Sequence, residues 1–357
     1  MNRNLRQLLP VLSSVFAIAA ALLVGAGLIA IAGVNPVQAY LVLFREALAN
    51  YYGFGNTLTK MAPLLLTSLG ILVALKAGQF NIGGEGQIYL GGLGAAIVGL
   101  SFPGLPAIVH LPLALAAGFL GGAVWGLIPG YLKAVRGVNE VITTLLLNYV
   151  AQYLVSYMVS YPLLEPGAPS PFSPPIAATA QLPILLPQTQ THAGILLGLV
   201  LAGVLWFGLT LTPWGYQIAA VGQNPIAARY AGMSVPKTIM AVMALSGGLA
   251  GLAGAGEVMG LRYRLFENFS PGYGFDAIAI AFLSRGNIAG LILISLFFGA
   301  LRSGANVMQR SAGVPFTVVY AIQGLTVLFI AIALVLERRL ASRQTPSATN
   351  ITSSTVA

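Results

Sequence analysis

Long apolar runs, separated by short polar or proline-rich stretches, dominate this chain of 357 residues. A helix needs about 20 apolar residues to cross a bilayer core about 30 Å thick. This rule predicts spans near residues 11–33, 58–77, 82–100, 110–129, 139–161, 193–211, 238–260, 273–285, 287–304 and 315–336. The third is rich in glycine and the eighth is short, so each is either a full crossing or a re-entrant segment. The predicted fold class is all-α, a polytopic integral membrane protein with about ten transmembrane helices.

The distribution of Lys and Arg sets the orientation of these spans. With the N-terminus inside, six of the 17 basic residues lie outside and the rest lie in the cytoplasm. The six are Arg45, Lys60, Arg262, Arg264, Arg302 and Arg310. Because cytoplasmic loops carry the excess of basic residues, both termini are predicted to be cytoplasmic.

The first apolar run is too long for a signal peptide, so we expect a retained helix. Residues 341–357, rich in Ser and Thr, are predicted to form a disordered cytoplasmic tail, after a single transmembrane domain over 1–340.

Composition excludes several kinds of function. Hydrophobic residues make up 57% of the chain and charged residues 7%, whereas a soluble domain has about 25% charged residues. The chain has no cysteine and two histidines, so we expect no catalytic site, metal site or bound cofactor. The net charge of +9 is spread over the ends of apolar runs, which is typical of membrane topology and not of a nucleic-acid interface. No phosphate-binding Gly-x-x-x-x-Gly-Lys-Ser/Thr loop is present, so any ATP would be hydrolysed by another chain.

A glycine-rich polar segment opens the third predicted span. It contains Asn81, Glu85 and Gln87 among five glycines. A charged side chain within a bilayer costs about 2.5–3.5 kcal/mol, so Glu85 must face protein or a watery cavity. Two interpretations stay open: these residues line a solute path, or Glu85 caps a helix N-terminus in a tight turn.

Two further polar sets interrupt the apolar runs. Asn148 lies deep in the fifth span, where its amide must meet either a facing helix or a passing solute, with the helix slightly favoured. Asp276 opens the short eighth span and faces the same cost as Glu85. Glu257 adds a carboxylate near the outer end of span seven, where Arg262 or Arg264 would be its natural partner.

Two long loops differ in character. The loop 162–191 contains eight prolines, which forbid a regular helix and favour an ordered or extended external segment. In the loop 212–237, Asn224 is an expected N-cap, Pro225 follows it, and a short helix is predicted to end at Gly232. A capped helix on the cytoplasmic face either packs against a partner or serves as an amphipathic connector.

Four segments, 81–87, 138–144, 221–232 and 272–276, resemble the permease subunits of bacterial ABC importers in the branched-chain amino acid/ribose class. The resemblance covers nearly all the hydrophobic chain, and segment 81–87 is similar to the nucleoside and simple-sugar branch. It implies a bacterial plasma-membrane permease that forms the translocation path for a nucleoside or simple sugar. The path residues would be Asn81, Glu85, Gln87, Asn148 and Asp276.

The resemblance also implies partners. These are two ABC ATPase subunits that bind the ATP, a second and often nonidentical permease chain, and an extracytoplasmic solute-binding protein. The family's ATPase-coupling segment falls on the cytoplasmic loop, at Gly222, Asn224, Ala227, Ala228, Arg229 and Gly232. Two other hypotheses stay open: a secondary transporter coupled to protons through Glu85 or Asp276, and, more remotely, an intramembrane enzyme.

Overall fold

The computed structural model describes residues 3–315 and 317–342, and in these residues its regular elements are helices, with no strand longer than an isolated bridge. The helices are α1 (Arg3–Ile31), α2 (Pro36–Phe44), α3 (Tyr51–Lys76), α4 (Gly84–Ser101), α5 (Ala107–Arg136), α6 (Glu140–Ser160), α7 (Gly194–Leu211), α8 (Pro213–Gln223), α9 (Pro225–Tyr230), α10 (Val235–Glu257), α11 (Tyr273–Leu283), α12 (Ile288–Ala312) and α13 (Thr317–Ser342). Wider π-helical turns follow α2 at Arg45–Ala49 and α10 at Val258–Arg262.

The chain divides into two units. In the first, α1 packs against α13. The second contains residues 37–316 and holds the functional segments considered below. Residues 341 and 342 belong to α13, and the rest of the predicted tail, 343–357, lies outside the described residues. The single domain expected over 1–340 stays a prediction.

Among the described residues, six helices are long and apolar enough to cross a bilayer: α3, α5, α6, α7, α10 with its π-helical turn, and α12. A seventh span results if Val15–Ile31 and Pro36–Ala49 form one interrupted crossing. The predicted class, an all-helical multi-pass membrane protein, is confirmed. The number ten and the cytoplasmic termini stay predictions. The two doubtful spans correspond to α4, with 18 residues, and α11, with 11 residues.

The second unit repeats one arrangement of three helices. In α3–α5 and again in α10–α12, a long helix precedes an irregular segment, a shorter helix and another long helix. The irregular segments are 77–83 and 263–272. The packing is repeated too, since α10 contacts α4 and α5 just as α3 contacts α11 and α12. Internal repeats with interrupted helices are typical of transporters, which place their sites where the helices break.

Glycines bring α5 and α10 into close contact. Gly118, Gly122 and Gly126 of α5 face Gly247 and Gly251 of α10, and a Cβ on Gly122 would overlap the Gly247 carbonyl. Glycines at four-residue spacing share one face of a helix and let two helix backbones approach closely. This contact positions α10, to which the first irregular segment is hydrogen-bonded through Asn81 and Ser246.

We expect Gly122→Ala to lower the thermal unfolding midpoint of the purified protein, because overpacking a rigid contact costs about 1–3 kcal/mol. The control is Gly203→Ala on α7, where no atom lies within 4 Å of the added Cβ. Thermal unfolding in detergent, followed by intrinsic fluorescence, measures both variants. Equal midpoints for the two variants would contradict the close packing of α5 and α10.

The proline-rich loop 162–191 is ordered, as expected. Ser173 and Ile176 donate backbone hydrogen bonds of 2.8 Å to the carbonyls of Leu265 and Tyr263, and Ala177 donates one of 2.9 Å to Gly99 at the end of α4. The loop therefore covers the second irregular segment where that segment leaves α10.

The loop 212–237 precedes α10, so it lies at the end of α10 opposite to the proline-rich loop, and it is beside the end of α3. A Cβ on Gly222 would overlap the carbonyl of Lys76, the last residue of α3. The sequence predicted one short helix in this loop, but the structure contains two, α8 and α9. The prediction missed α8, which begins at Pro213 with Thr212 accepting a hydrogen bond from Gly215. A threonine cap followed by proline in the first turn is a common helix start. The prediction had treated these residues as part of a loop.

Candidate functional site

The N-termini of α4 and α11 meet inside the second unit. The backbone of Gly274 lies directly against that of Gly84 and Glu85. Gly84 also contacts Thr67, well within α3 and away from its ends. Both short helices therefore begin in the interior, and each is reached through an irregular segment.

Glu85 caps α11. Its carboxylate accepts hydrogen bonds from the backbone N–H of Gly272 at 3.2 Å and from that of Gly274 at 2.7 Å, and the side chain is buried. Gly272 has φ +86°, a conformation that favours glycine. A carboxylate at the positive end of a helix dipole is stabilised without a basic partner. This geometry is that of a helix cap, one of the two interpretations of Glu85 that the sequence left open.

Asn81 and Gln87 form a buried amide pair. Asn81 Nδ2 donates to Gln87 Oε1 at 2.8 Å and to Ser246 Oγ of α10 at 2.8 Å, while Gln87 Nε2 donates to Asn81 Oδ1 at 3.1 Å. Asn81 Oδ1 also accepts from the N–H of Gly83 at 3.0 Å. The pair fastens the first irregular segment to the start of α4 and to α10.

Asn148 binds the same segment from the other side. Its Oδ1 accepts from the N–H of Gly86 at 2.8 Å, and its Nδ2 donates to the Ile82 carbonyl at 3.0 Å. The favoured interpretation of Asn148 as a contact between helices is confirmed. The interrupted backbone at 82–86 thus finds partners in a side chain of α6, as a chain inside a bilayer requires.

Asp276 forms an ion pair with Arg302 of α12. Arg302 donates from both Nε and Nη2 to Asp276 Oδ2 at 2.7 Å, and from Nη2 to the Pro271 carbonyl at 3.1 Å. The expectation that Arg302 is an external topology charge was wrong, because its side chain is buried, with 5% exposed. Two groups of opposite charge within an apolar bundle stabilise each other only when they are in contact.

Lys60 and Glu257 lie close to this ion pair. Lys60 Nζ donates to the hydroxyl of Tyr273, the first residue of α11, at 3.1 Å. Glu257 is buried, and its Oε1 has no hydrogen-bond partner in the described part of the chain. The suggested partner Arg264 was wrong, because it pairs with Glu165 of the proline-rich loop at 3.0 Å.

The loop 212–237 has the predicted cap. Asn224 Oδ1 accepts from the N–H of Ile226 at 3.1 Å and from that of Ala227 at 3.0 Å. The helix α9 begins at Pro225, and Gly232 follows it with φ +81°.

The outer face of α9 is unusually apolar for an exposed surface. Ile226 is 69% exposed and Tyr230 is 91% exposed, with Arg229 exposed between them. These residues line a cavity of about 700 Å³. Ala227 is exposed too, but Ala228 is buried within this chain, so Ala228 is not available to a partner.

The model of the family "branched-chain amino acid transport system / permease component" matches residues 53–335, which include both irregular segments and the loop 212–237. The chain belongs to this permease family. The predicted class is therefore confirmed, and the permease is a transport component rather than an enzyme.

Curated relatives support this assignment. The glucose ABC transporter permease protein TsgB13 of Haloferax volcanii is 38% identical over 88% of this chain and 86% of its own length. The guanosine ABC transporter permease protein NupP of Bacillus subtilis is 36% identical over 91% of this chain and 92% of its own. The guanosine ABC transporter permease protein NupQ, also of Bacillus subtilis, is 27% identical over 69% and 79%. No solved structure matches the permease.

Four of the five predicted path residues of the permease, Asn81, Glu85, Gln87 and Asn148, converge on the start of α4, and Asp276 lies one turn into the helix that Glu85 caps. Sequence reasoning missed Ser246 and Lys60 as members of this polar core and misplaced Arg302. Ser246 lies in an apolar helix rich in small residues, which gave no signal. Arg302 lies within an apolar helix that also contains glycines. This position could have indicated that its side chain is buried and paired.

Proposed function

We propose that this chain is the permease subunit of an ATP-driven importer in a bacterial plasma membrane, with the nucleosides or simple sugars as its solutes. The observation that carries the proposal is identity of 36–38% over about nine tenths of the chain to permeases named for guanosine and glucose. The proposed topology has ten spans, with α4 and α11 as interrupted crossings and both termini in the cytoplasm.

The proposed ATPase contact is the segment 222–232. Its support is an exposed isoleucine and tyrosine on either side of an arginine, beside a cavity of about 700 Å³, on a face with no partner in the described residues. Two ATPase subunits, which bind the ATP, would receive this helix in a cleft. Solute would arrive on an extracytoplasmic binding protein at the end that carries the proline-rich loop.

A second, nonidentical permease chain completes the proposed complex. Bacillus subtilis has two proteins named as guanosine permeases, NupP and NupQ, and both are similar to this chain, at 36% and 27% identity. Two such chains with different sequences would pair across the translocation path.

The proposed path passes the junction of α4 and α11. Interrupted helices that meet at mid-depth are the usual position of transporter sites. Asn81, Glu85, Gln87, Asn148 and Asp276 would lie beside this path. Because their polar atoms are engaged within the chain, we infer that they maintain the shape of the path.

Reconstitution tests the function directly. Vesicles containing this chain, its paired permease and the ATPases, with the binding protein outside, are expected to take up radiolabelled guanosine or glucose only when ATP is enclosed. The control vesicles contain this chain alone under a proton gradient. Uptake by the chain alone, driven by the gradient, would overturn the importer proposal in favour of an ion-coupled secondary transporter.

A further inference from the structure

Four tyrosines form an exposed row on α6. Tyr149, Tyr153 and Tyr157, with Tyr161 directly after the helix, follow one another at four-residue intervals and thus share one face. Each is more than half exposed, from 54% for Tyr149 to 74% for Tyr153. None of the four hydroxyls has a hydrogen-bond partner among the described residues. The opposite face of α6, with Asn148, packs against the chain. We call these four residues the tyrosine row.

Other exposed helix faces in this chain have the composition expected for contact with lipid. On α5 the exposed large residues run from Ile108 through Leu120 and Val124, and tyrosine occurs only near the end, at Tyr131. On α7 they are Leu and Val until Trp206 and Phe207 near its end. Aromatic residues at helix ends are the interfacial belt of membrane proteins. The tyrosine row does not fit this pattern.

The depth of the row excludes an interfacial belt as its full explanation. Twelve residues separate Tyr149 from Tyr161, or about 18 Å along the helix axis, which is more than half of a bilayer core. Tyr149 follows Asn148, whose side chain binds the start of α4 in the interior. A hydroxyl at this depth in lipid would have no partner, at a cost that favours water or a polar solute as its neighbour.

The outer end of the row lies beside a cavity lined by charged and aromatic side chains. Ser156, one residue before Tyr157, donates a hydrogen bond of 2.7 Å to Glu267. Glu267 lines a cavity of about 540 Å³ with Arg262, Arg264 and two aromatic rings, those of Phe172 and Phe266. Arg262 and Arg264 stack over the rings of Phe266 and Phe172. The carboxylate and the basic groups of this cavity suit a solute with hydroxyls.

We propose that the tyrosine row lines the aqueous translocation path and contacts the solute between the outer cavity and mid-depth; this inference rests on the importer function proposed above. Each ring offers a face on which a nucleobase or the apolar face of a sugar stacks, and each hydroxyl both donates and accepts. Four similar contacts in series bind the solute weakly at each step, which permits it to move on.

The absence of cysteine from the chain permits a direct test in membranes that contain the complete complex. Single variants Tyr149→Cys and Tyr153→Cys are treated with membrane-impermeant sulfonatoethyl methanethiosulfonate, which reacts with a thiolate. The controls are Leu120→Cys and Val124→Cys on α5, at positions each 59% exposed. Because a thiol ionises in water and not in lipid, we expect the tyrosine positions to react at least about tenfold faster than the controls. Added guanosine should slow the reaction.

Uptake provides the second measurement. Tyr149→Ala and Tyr153→Ala are expected to reduce ATP-dependent guanosine uptake by about tenfold, Tyr153→Phe by less because the ring remains, and Leu120→Ala not at all. Reaction at the control rate overturns the proposal in favour of lipid contact. Unreactive cysteines that crosslink to the second permease chain overturn it in favour of a subunit interface. Unsubstituted vesicles without ATP-dependent uptake would instead refute the importer function, while the labelling still reports whether the row faces water.

Discussion

Glu85→Leu is expected to reduce ATP-dependent solute uptake by at least about tenfold. The carboxylate is buried and accepts the N–H groups of Gly272 and Gly274 at the start of α11. Leucine would leave both buried donors without an acceptor, at about 1–3 kcal/mol each, and the junction of α4 and α11 would rearrange. Uptake per reconstituted complex measures the effect, with complex abundance determined separately.

Two further variants separate the explanations for that loss. Glu85→Gln keeps one acceptor oxygen and is expected to retain much of the uptake, because import of a neutral solute needs no titrating group at residue 85. A proton-coupled mechanism requires the opposite result for the glutamine variant. Glu46→Leu is the control, because the Glu46 carboxylate accepts an exposed hydrogen bond of 2.9 Å from Asn50 and caps no buried helix start. Normal uptake by Glu85→Leu at normal abundance would show that transport does not depend on this junction, and it would contradict the place of Glu85 beside the path.

The polar residues within apolar runs were the most informative feature of the sequence, because burying a polar group costs free energy. This cost singled out Asn81, Glu85, Gln87 and Asn148, and the structure places all four around the first irregular segment and the start of α4. A polar side chain in an apolar run must have a partner, so its presence reveals an interior contact even in a single sequence. The glycines around these residues indicated that the helix would break there.

The identity of each partner was beyond the sequence. Glu85 binds backbone 187 residues away, and a backbone N–H leaves no mark in the sequence. Arg302 was assigned to the outside because counting charges at span ends treats each end as solvent. Its carboxylate partner, Asp276, is 26 residues earlier. Arg264 was matched with the nearby Glu257 for the same reason, since its partner Glu165 is distant in the sequence.

The apolar runs located the interrupted helices but did not reveal the irregular segments before them. The third predicted span, 82–100, agrees with α4 to within two residues, but the irregular segment 77–83 before it carries apolar residues that belong to no helix. Residues 263–272 repeat this feature before α11. The repeat is one of helix order and packing, and the apolar runs alone did not reveal it.

Arg229→Glu is expected to uncouple ATP hydrolysis from transport, with uptake lowered by about tenfold and membrane insertion unchanged. Arg229 is exposed on α9 between Ile226 and Tyr230, and the proposed cleft of the ATPase would receive all three. Reversing a charge at the centre of such an interface places it opposite the groups that attracted the arginine, which weakens docking. ATPase activity and uptake are measured on the same vesicles, and their ratio reports coupling.

The matched control is Arg136→Glu, the same change at the last residue of α5 on the same side of the chain, where the side chain is also exposed. A loss confined to Arg229→Glu assigns the effect to α9, whereas equal losses in both variants would indicate a general response to charge on that face. Cysteines introduced at Ile226 or Tyr230 are expected to crosslink to the ATPase, because these are the most exposed apolar residues of α9. Normal transport by Arg229→Glu, together with no crosslink from either position, would contradict the assignment of 222–232 as the coupling segment and leave α9 as an amphipathic connector.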